Sequence, residues 1–181
     1  SRVIELSREI SRELRFERLL HKLVTVLIRD VGGQRCLVLL RQGDVWQVEA
    51  EGRDDAATIT TPALPAADYR EIPWVFISSV IDSHERCVLV DAAASSEADP
   101  DFLRRGVRSV LCAPILHQGL LRGILYLEDC QHPGVYTYER VQLLGQLTAQ
   151  ISSSIENARL FHDLDTVRDA ALLAERAKTR F

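Results

Sequence analysis

Ser109-Val110-Leu111-Cys112-Ala113-Pro114-Ile115-Leu116, a break at Gln118-Gly119, and the return Leu120-Leu121-Arg122-Gly123-Ile124-Leu125-Tyr126-Leu127-Glu128 decide how this chain folds. Both apolar runs are of strand length, and the Gln-Gly pair between them is turn chemistry, so the segment predicts an antiparallel hairpin. Pro114 cannot donate to a ladder, which predicts an edge or a bulge at that point of the first strand.

Upstream, Cys36-Leu37-Val38-Leu39-Leu40 is a continuous apolar run, the mark of a central strand buried on both sides. Gln42-Gly43-Asp44 turns it into the alternating Val45-Trp46-Gln47-Val48-Glu49-Ala50, and a third strand is expected over Thr58–Thr61. Before these strands, apolar residues recur at helical spacing from Ile4 to Ile28, with Gly32-Gly33 as the stop. This helix is apolar on two faces. Its second half is expected to pack on the domain, and its first half to face a partner.

Between the strand groups, Pro62 to Ala67 reads as a loop and Pro73 as the first turn of a helix from Trp74 to Ser83. Cys87 to Val90 reads as a short strand, Asp91 to Asp99 as an acidic Ala/Ser loop, and Asp99-Pro100 as the cap of a short helix. Downstream, Thr137 caps a long helix that meets no Gly or Pro after Gly145. Leu160, Leu164, Val167, Ala171 and Ala174 then recur at heptad spacing, which predicts a coiled coil in place of a solvated terminal helix.

This order predicts an α/β (α+β) fold: an antiparallel sheet with long N- and C-terminal helices on one face and a loop and short-helix cover on the other. The division expected is a sensor domain over 1–159 and a helical linker over 160–181. The cover, roughly 62–105, is where a small-molecule pocket would form.

Hydrophobic residues make up 46% and charged residues 27% of 181 residues, the balance of a packed domain. A net charge of −4 and a pI near 5.7 argue against nucleic acid, which needs a basic face. No run approaches the roughly 20 apolar residues of a membrane span, and no signal-peptide pattern opens the chain, so a cytoplasmic setting is expected. The absence of Met, even at position 1, reads as a piece cut from a longer protein.

Cys36, Cys87, Cys112 and Cys130 form no CxxC pair and read as core thiols in a reducing compartment. A thiol enzyme would need Cys87 and Cys112 to approach across strands and a lowered pKa, which apolar strands oppose. The five histidines form no local ligand set, and His84 at a helix end is accounted for by the exposed carbonyls there. The carboxylates Asp91, Glu97, Asp99 and Asp101, among alanines and serines, read as a solvated loop.

The hairpin resembles the penultimate hairpin of the GAF family, in which an apolar strand ends in a proline-containing dipeptide and its partner reads G-x-L-Y-L-E. Ser154-Ile155-Glu156-Asn157-Ala158-Arg159-Leu160 resembles the family's closing helix, and Leu6 to Ser11 followed by Leu19-Leu20 its entrance helix. Ala174 to Phe181 resembles the linker before the phospho-accepting helix of a histidine kinase. The resemblance implies a non-enzymatic sensory domain of a signal-transduction histidine kinase, dimeric through its terminal helices. Bilin-attaching relatives carry Cys followed directly by His, but Cys130 is followed by Gln131; the Asn-Lys-Phe-Asp-Glu pattern of cyclic-nucleotide binders is not recognisable either.

On this reading a bound small molecule, of unknown identity and with no cofactor named, would meet Trp74, Phe76, Ser79, Asp91, Phe102, Ser109 and Cys112. For Trp74, Phe76 and Phe102, plain core packing is the competing account. The dimer seam would use Ile10, Leu14, Leu160, Leu164 and Val167. A ligand-free dimerisation or protein-interaction module is the alternative, and a thiol-dependent reductase a more distant one.

Overall fold

The computed structural model describes residues 2–54, 58–96 and 99–179. Helix α1 (Arg2–Val26) leads through a π-helical turn (Leu27–Val31) into strands β1 (Arg35–Gln42), β2 (Val45–Arg53), β3 (Thr58–Thr60) and β4 (Leu64–Pro65). Helix α2 (Trp74–Ser83), strand β5 (Cys87–Leu89) and helix α3 (Pro100–Arg105) follow. Strands β6 (Ser109–His117) and β7 (Leu120–Asp129) and helix α4 (Tyr138–Lys178) complete the chain. The strands form one sheet in the order β3-β2-β1-β7-β6-β5, with β4 added on β2, and every pairing given by the register is antiparallel.

The alternation within β1 and β7 divides the interior. Cys36, Val38, Leu40, Leu125 and Leu127 face one core with Leu20, Val24, Leu27, Leu144, Ile151 and Ile155 of the terminal helices. Leu37, Leu39, Ile124 and Tyr126 face a second core with Phe76, Ile77 and Val80 of α2 and Phe102 of α3. Each fully buried aliphatic side chain here contributes roughly 1.5–3 kcal/mol relative to exposure. The second half of α1 therefore packs on the sheet, while Ile4, Leu6 and Ile10 in its first half stay 50–57% exposed.

Several expectations are refined. The entrance helix changes from α to π at Leu27 and closes with the Gly32 N–H on the Leu27 carbonyl at 3.1 Å, Gly32 standing at φ 96°. Pro73 is the N-cap of α2 and not its first helical residue, whereas Asp99 and Thr137 cap α3 and α4 as expected, accepting from Asp101 and Arg140 backbone N–H groups. At Pro114 both expectations hold in part: β5 pairs only as far as Cys112, so Pro114 lies beyond that partner, and the bulge falls between Ile115 and Leu116. His84 takes a left-handed conformation (φ 59°) and its own N–H bonds the Val80 carbonyl, so its backbone closes the helix where a cationic side chain was expected to.

Two glycines let the layers approach. A Cβ at Gly52 would stand 2.1 Å from Val24 Cγ1, so β2 passes directly beneath α1. At Gly123 it would stand 2.8 Å from the Leu39 carbonyl oxygen, inside the central ladder. Gly123→Ala is expected to cost about 1–3 kcal/mol, as overpacking does. Gly145→Ala, on an exposed helical position with only Arg86 Nη1 at 3.7 Å, is expected to gain about 0.5–1 kcal/mol. Urea unfolding of both variants beside the parent measures the two opposite shifts.

Candidate functional site

The face covered by α2, α3 and their loops carries a dense set of buried polar groups. Its apolar floor brings together three residues singled out from sequence: Phe76 (4% exposed), Phe102 (0%) and Cys112 (0%), with the two rings edge-on at 5.3 Å. The others stand apart from that floor. Trp74, at the start of α2, is 39% exposed, and Ser79 is exposed, its hydroxyl donating to the Phe76 carbonyl at 2.6 Å. Asp91 forms a two-pronged pair with Arg108, both contacts at 3.0 Å, which holds its carboxyl below the usual range. Ser109 donates to the His132 carbonyl at 2.6 Å and accepts from Val135 N–H at 3.1 Å, tying down the connection into α4.

The acidic segment is not the solvated loop its composition implies. Asp99 and Asp101 are buried, at 5% and 7% exposed, and Glu97 lies outside the described residues. One Asp99 oxygen accepts from Phe76 N–H at 3.0 Å and the other from Asp101 N–H at 2.9 Å, so a single carboxylate joins the first turns of α2 and α3. Composition cannot separate the two cases, because Asp serves equally as a solvated residue and as an N-cap acceptor, and only the placement of α2 against α3 decides which it is here.

Sequence reasoning missed the larger feature, a buried ionic network at one end of this face. Glu128, 3% exposed, accepts both prongs of the Arg105 guanidinium at 2.6 and 2.8 Å, the Tyr126 hydroxyl at 2.5 Å, and lies 3.5 Å from Arg35. Arg35, 2% exposed, donates to Glu51 at 2.7 Å and to the Glu71 carbonyl at 2.7 Å. Glu71 holds the left-handed region at φ 55°, an unfavourable backbone for a non-glycine residue, with its carbonyl given to that buried cation. Glu51 also accepts from the Tyr69 hydroxyl and from Arg53 at 2.9 Å, and Asp101 accepts from Arg105 at 2.6 Å.

Opposed charges balance the burial. Desolvation pushes the Glu51 carboxyl up, but hydrogen bonds from Tyr69 and Arg35 outweigh it and hold the group below its ordinary 4.5. Desolvation likewise raises Asp101, and Arg105 and Arg104 pull it below 3.8. Burial and the neighbouring Glu128 drive the Tyr126 hydroxyl well above its ordinary value, so it remains a donor. The signal was present in the sequence: Ile124, Tyr126 and Glu128 share a face by period-two alternation, and the polar pair ends an apolar strand.

The sequence profile of the GAF domain matches residues 15–155. The chain belongs to the GAF domain family. Over 77 residues it is 38% identical to hybrid signal transduction histidine kinase G of Dictyostelium discoideum, a match covering 42% of this chain and 2% of that relative. The GAF domain of a two-component sensor histidine kinase from Bacillus halodurans superposes with a TM-score of 0.61 at 16% identity, covering 80% of this chain and 96% of that one. The blue-light absorbing form of the Thermosynechococcus elongatus PixJ GAF domain gives 0.63 at 15% identity, covering 87% and 94%. Across the described residues of this GAF domain, no helix is long and apolar enough to cross a membrane.

Removing Glu128 leaves Arg105 and Arg35 short of a buried acceptor, so Glu128→Ala is expected to cost about 3–5 kcal/mol in chemical unfolding. The pH dependence has a definite sign. Glu51 and Asp101 are held below their ordinary values of 4.5 and 3.8, so their contribution is complete above those values and is lost as pH falls through the lower folded ones. Thermal midpoints measured from pH 7 to pH 2 are expected to hold steady to about pH 5 and then fall. Glu51→Gln is expected to flatten that fall.

Proposed function

We propose that this chain is a non-enzymatic sensory GAF domain of a signal-transduction histidine kinase, which takes up a small molecule against the face covered by α2 and α3 and signals through a dimeric helical linker. The observation that carries the reading is the run of uncovered apolar residues along the terminal helices. Leu160, Leu164 and Val167 of α4 are 51%, 65% and 67% exposed, and Ile10 of α1 is 57% exposed. Leu14 lies on the same helix, its side chain outside the described residues.

Helix α4 runs 41 residues without interruption, past the domain core and through the 160–181 linker as far as Lys178. Arg176 of α4 lies 3.7 Å from Glu5 of α1, which sets the two helices side by side beyond the sheet. Heptad-spaced apolar residues left in water cost free energy, and a second copy of the seam would cover them. Such paired helices shift between discrete arrangements, and a ligand biases them only through its differential affinity for the two. Of the ligand contacts expected, Phe76, Phe102 and Cys112 form the floor and Trp74, Ser79 and Asp91 lie on the cover beyond it, while the Ser109 hydroxyl is held by His132 and Val135 on the way into α4.

The tight floor also favours the second reading, a ligand-free interaction module, since Phe76, Ile77, Phe102, Cys112 and Tyr126 are all 4% exposed or less. Native mass spectrometry of protein purified from its own host separates the two. A dimer with a reproducible extra mass, lost on denaturation, is expected; a bare dimer favours the ligand-free module. Leu164→Asp combined with Val167→Asp is expected to convert the dimer to a monomer in sedimentation velocity while the far-ultraviolet circular dichroism of the sheet persists. A dimer unchanged by that pair of substitutions overturns the seam.

A further inference from the structure

Cys87 and Cys112 are directly opposed partners in the antiparallel β5–β6 ladder. Directly opposed residues project to the same face of a sheet, with Cα atoms about 4.5 or 5.5 Å apart according to which kind of pair they form. Both separations fall within the roughly 4.4–6.8 Å that a disulfide spans. The two side chains share surroundings: Cys112 belongs to the core under α2, and Cys87 packs against that same core from the sheet edge. All four cysteines are thiols in this structure.

We propose that Cys87 and Cys112 form a reversible cross-strand disulfide, closed by exchange with a low-molecular-weight disulfide, so that this edge of the sheet is a thiol-modification site. The Cys87 thiolate attacks one sulfur of the small disulfide, releasing one small thiol and leaving a mixed disulfide on Cys87. The Cys112 sulfur, after losing its proton to solvent, attacks Cys87 Sγ and releases the second small thiol. Two cysteine thiols are oxidised, and one disulfide is reduced to two thiols.

The order of attack follows exposure. Cys87 is half-buried on the edge strand and reachable, whereas Cys112 is fully buried. Burial raises the Cys112 thiol pKa, with the neighbouring Cys87 adding to the effect, so it serves as the resolving thiol and not as the first to react. No other described pairing competes. Cys36 lies on the opposite face of the sheet, its thiol pushed up to about 12 by burial. Cys130 follows the end of β7, while Cys112 is opposite Tyr126. Four residues of strand separate those rows, on the order of 13 Å and beyond disulfide reach.

The bridge has a structural consequence. β5 has only three ladder pairs and follows the left-handed exit of α2 at His84, so a bond to β6 would pin the end of α2 and the start of the acidic segment to the sheet. This effect requires neither the small molecule nor the dimer proposed above.

The test equilibrates the 181-residue chain in glutathione buffers of increasing oxidised fraction, traps remaining thiols by alkylation after denaturation, and maps the linked peptides. A single Cys87–Cys112 linkage is expected, reversed by dithiothreitol, with a rise in thermal midpoint on the order of 5–10 °C. Cys112→Ala is expected to accumulate glutathione on Cys87, and Cys87→Ala to abolish the linkage. Cys36→Ala and Cys130→Ala are expected to leave it unchanged. Four alkylatable thiols at the most oxidising ratio, a stable mixed disulfide on Cys87 with Cys112 still reduced, or linkage through Cys36 or Cys130 would each overturn the proposal.

Discussion

The pairing of β1 with β7 is the constraint on which the remainder of the fold depends. Leu37 opposes Tyr126 and Cys36 opposes Leu127, so each step along the pair commits residues to opposite cores. A slip of one residue would send Tyr126 and Glu128 into the helix face and Leu125 and Leu127 into the polar end of the other. Because both faces are covered, the register is specified twice. Gly123, lying against the Leu39 carbonyl oxygen, adds a steric condition at the far end of the same pair.

The two faces are held by different physics. Against α1 and α4 the core contacts are mainly apolar and non-directional, joined at α4 by Ser152 on the Leu116 carbonyl and by the Arg122–Glu156 pair. The cover is fastened by directional polar contacts: Asp99 joins α2 to α3, Glu128 reaches Arg105 of α3, and Glu51 reaches Tyr69 in the connection before α2. Such contacts hold one geometry and lose strength when a partner moves or is protonated. Strands β1 and β7 belong to both systems, which physically links the cover to the terminal helices.

Much of the architecture was legible in local chemistry. The hairpin at Gln118-Gly119, the caps at Asp99 and Thr137, the glycine stop at Gly32-Gly33 and the apolar central strand are each governed by residues within a few positions of one another. The polar network was legible only at Tyr126 and Glu128, which share a face of an apolar strand; Arg35, Glu51, Arg105 and Asp101 come from distant parts of the chain, and their partnership with it cannot be read from their own segments. The Cys87–Cys112 opposition depends on strand pairing, and register cannot be read from one strand at a time.

The sequence by itself therefore determined the family, most of the order of elements, the two-faced central strands and the long uninterrupted closing helix, since periodicity, turn residues and caps are properties of neighbours along the chain. Within the segment read as a loop, Pro62 to Ala67, strand β4 exists only through its pairing with β2. Only the tertiary structure decided which carboxylates are buried, which cation each one meets, and which cysteines share a row. Burial and partnership arise where separate segments converge in space, and the desolvation that makes Glu128 and Arg35 matter exists only once the sheet and its cover have closed over them.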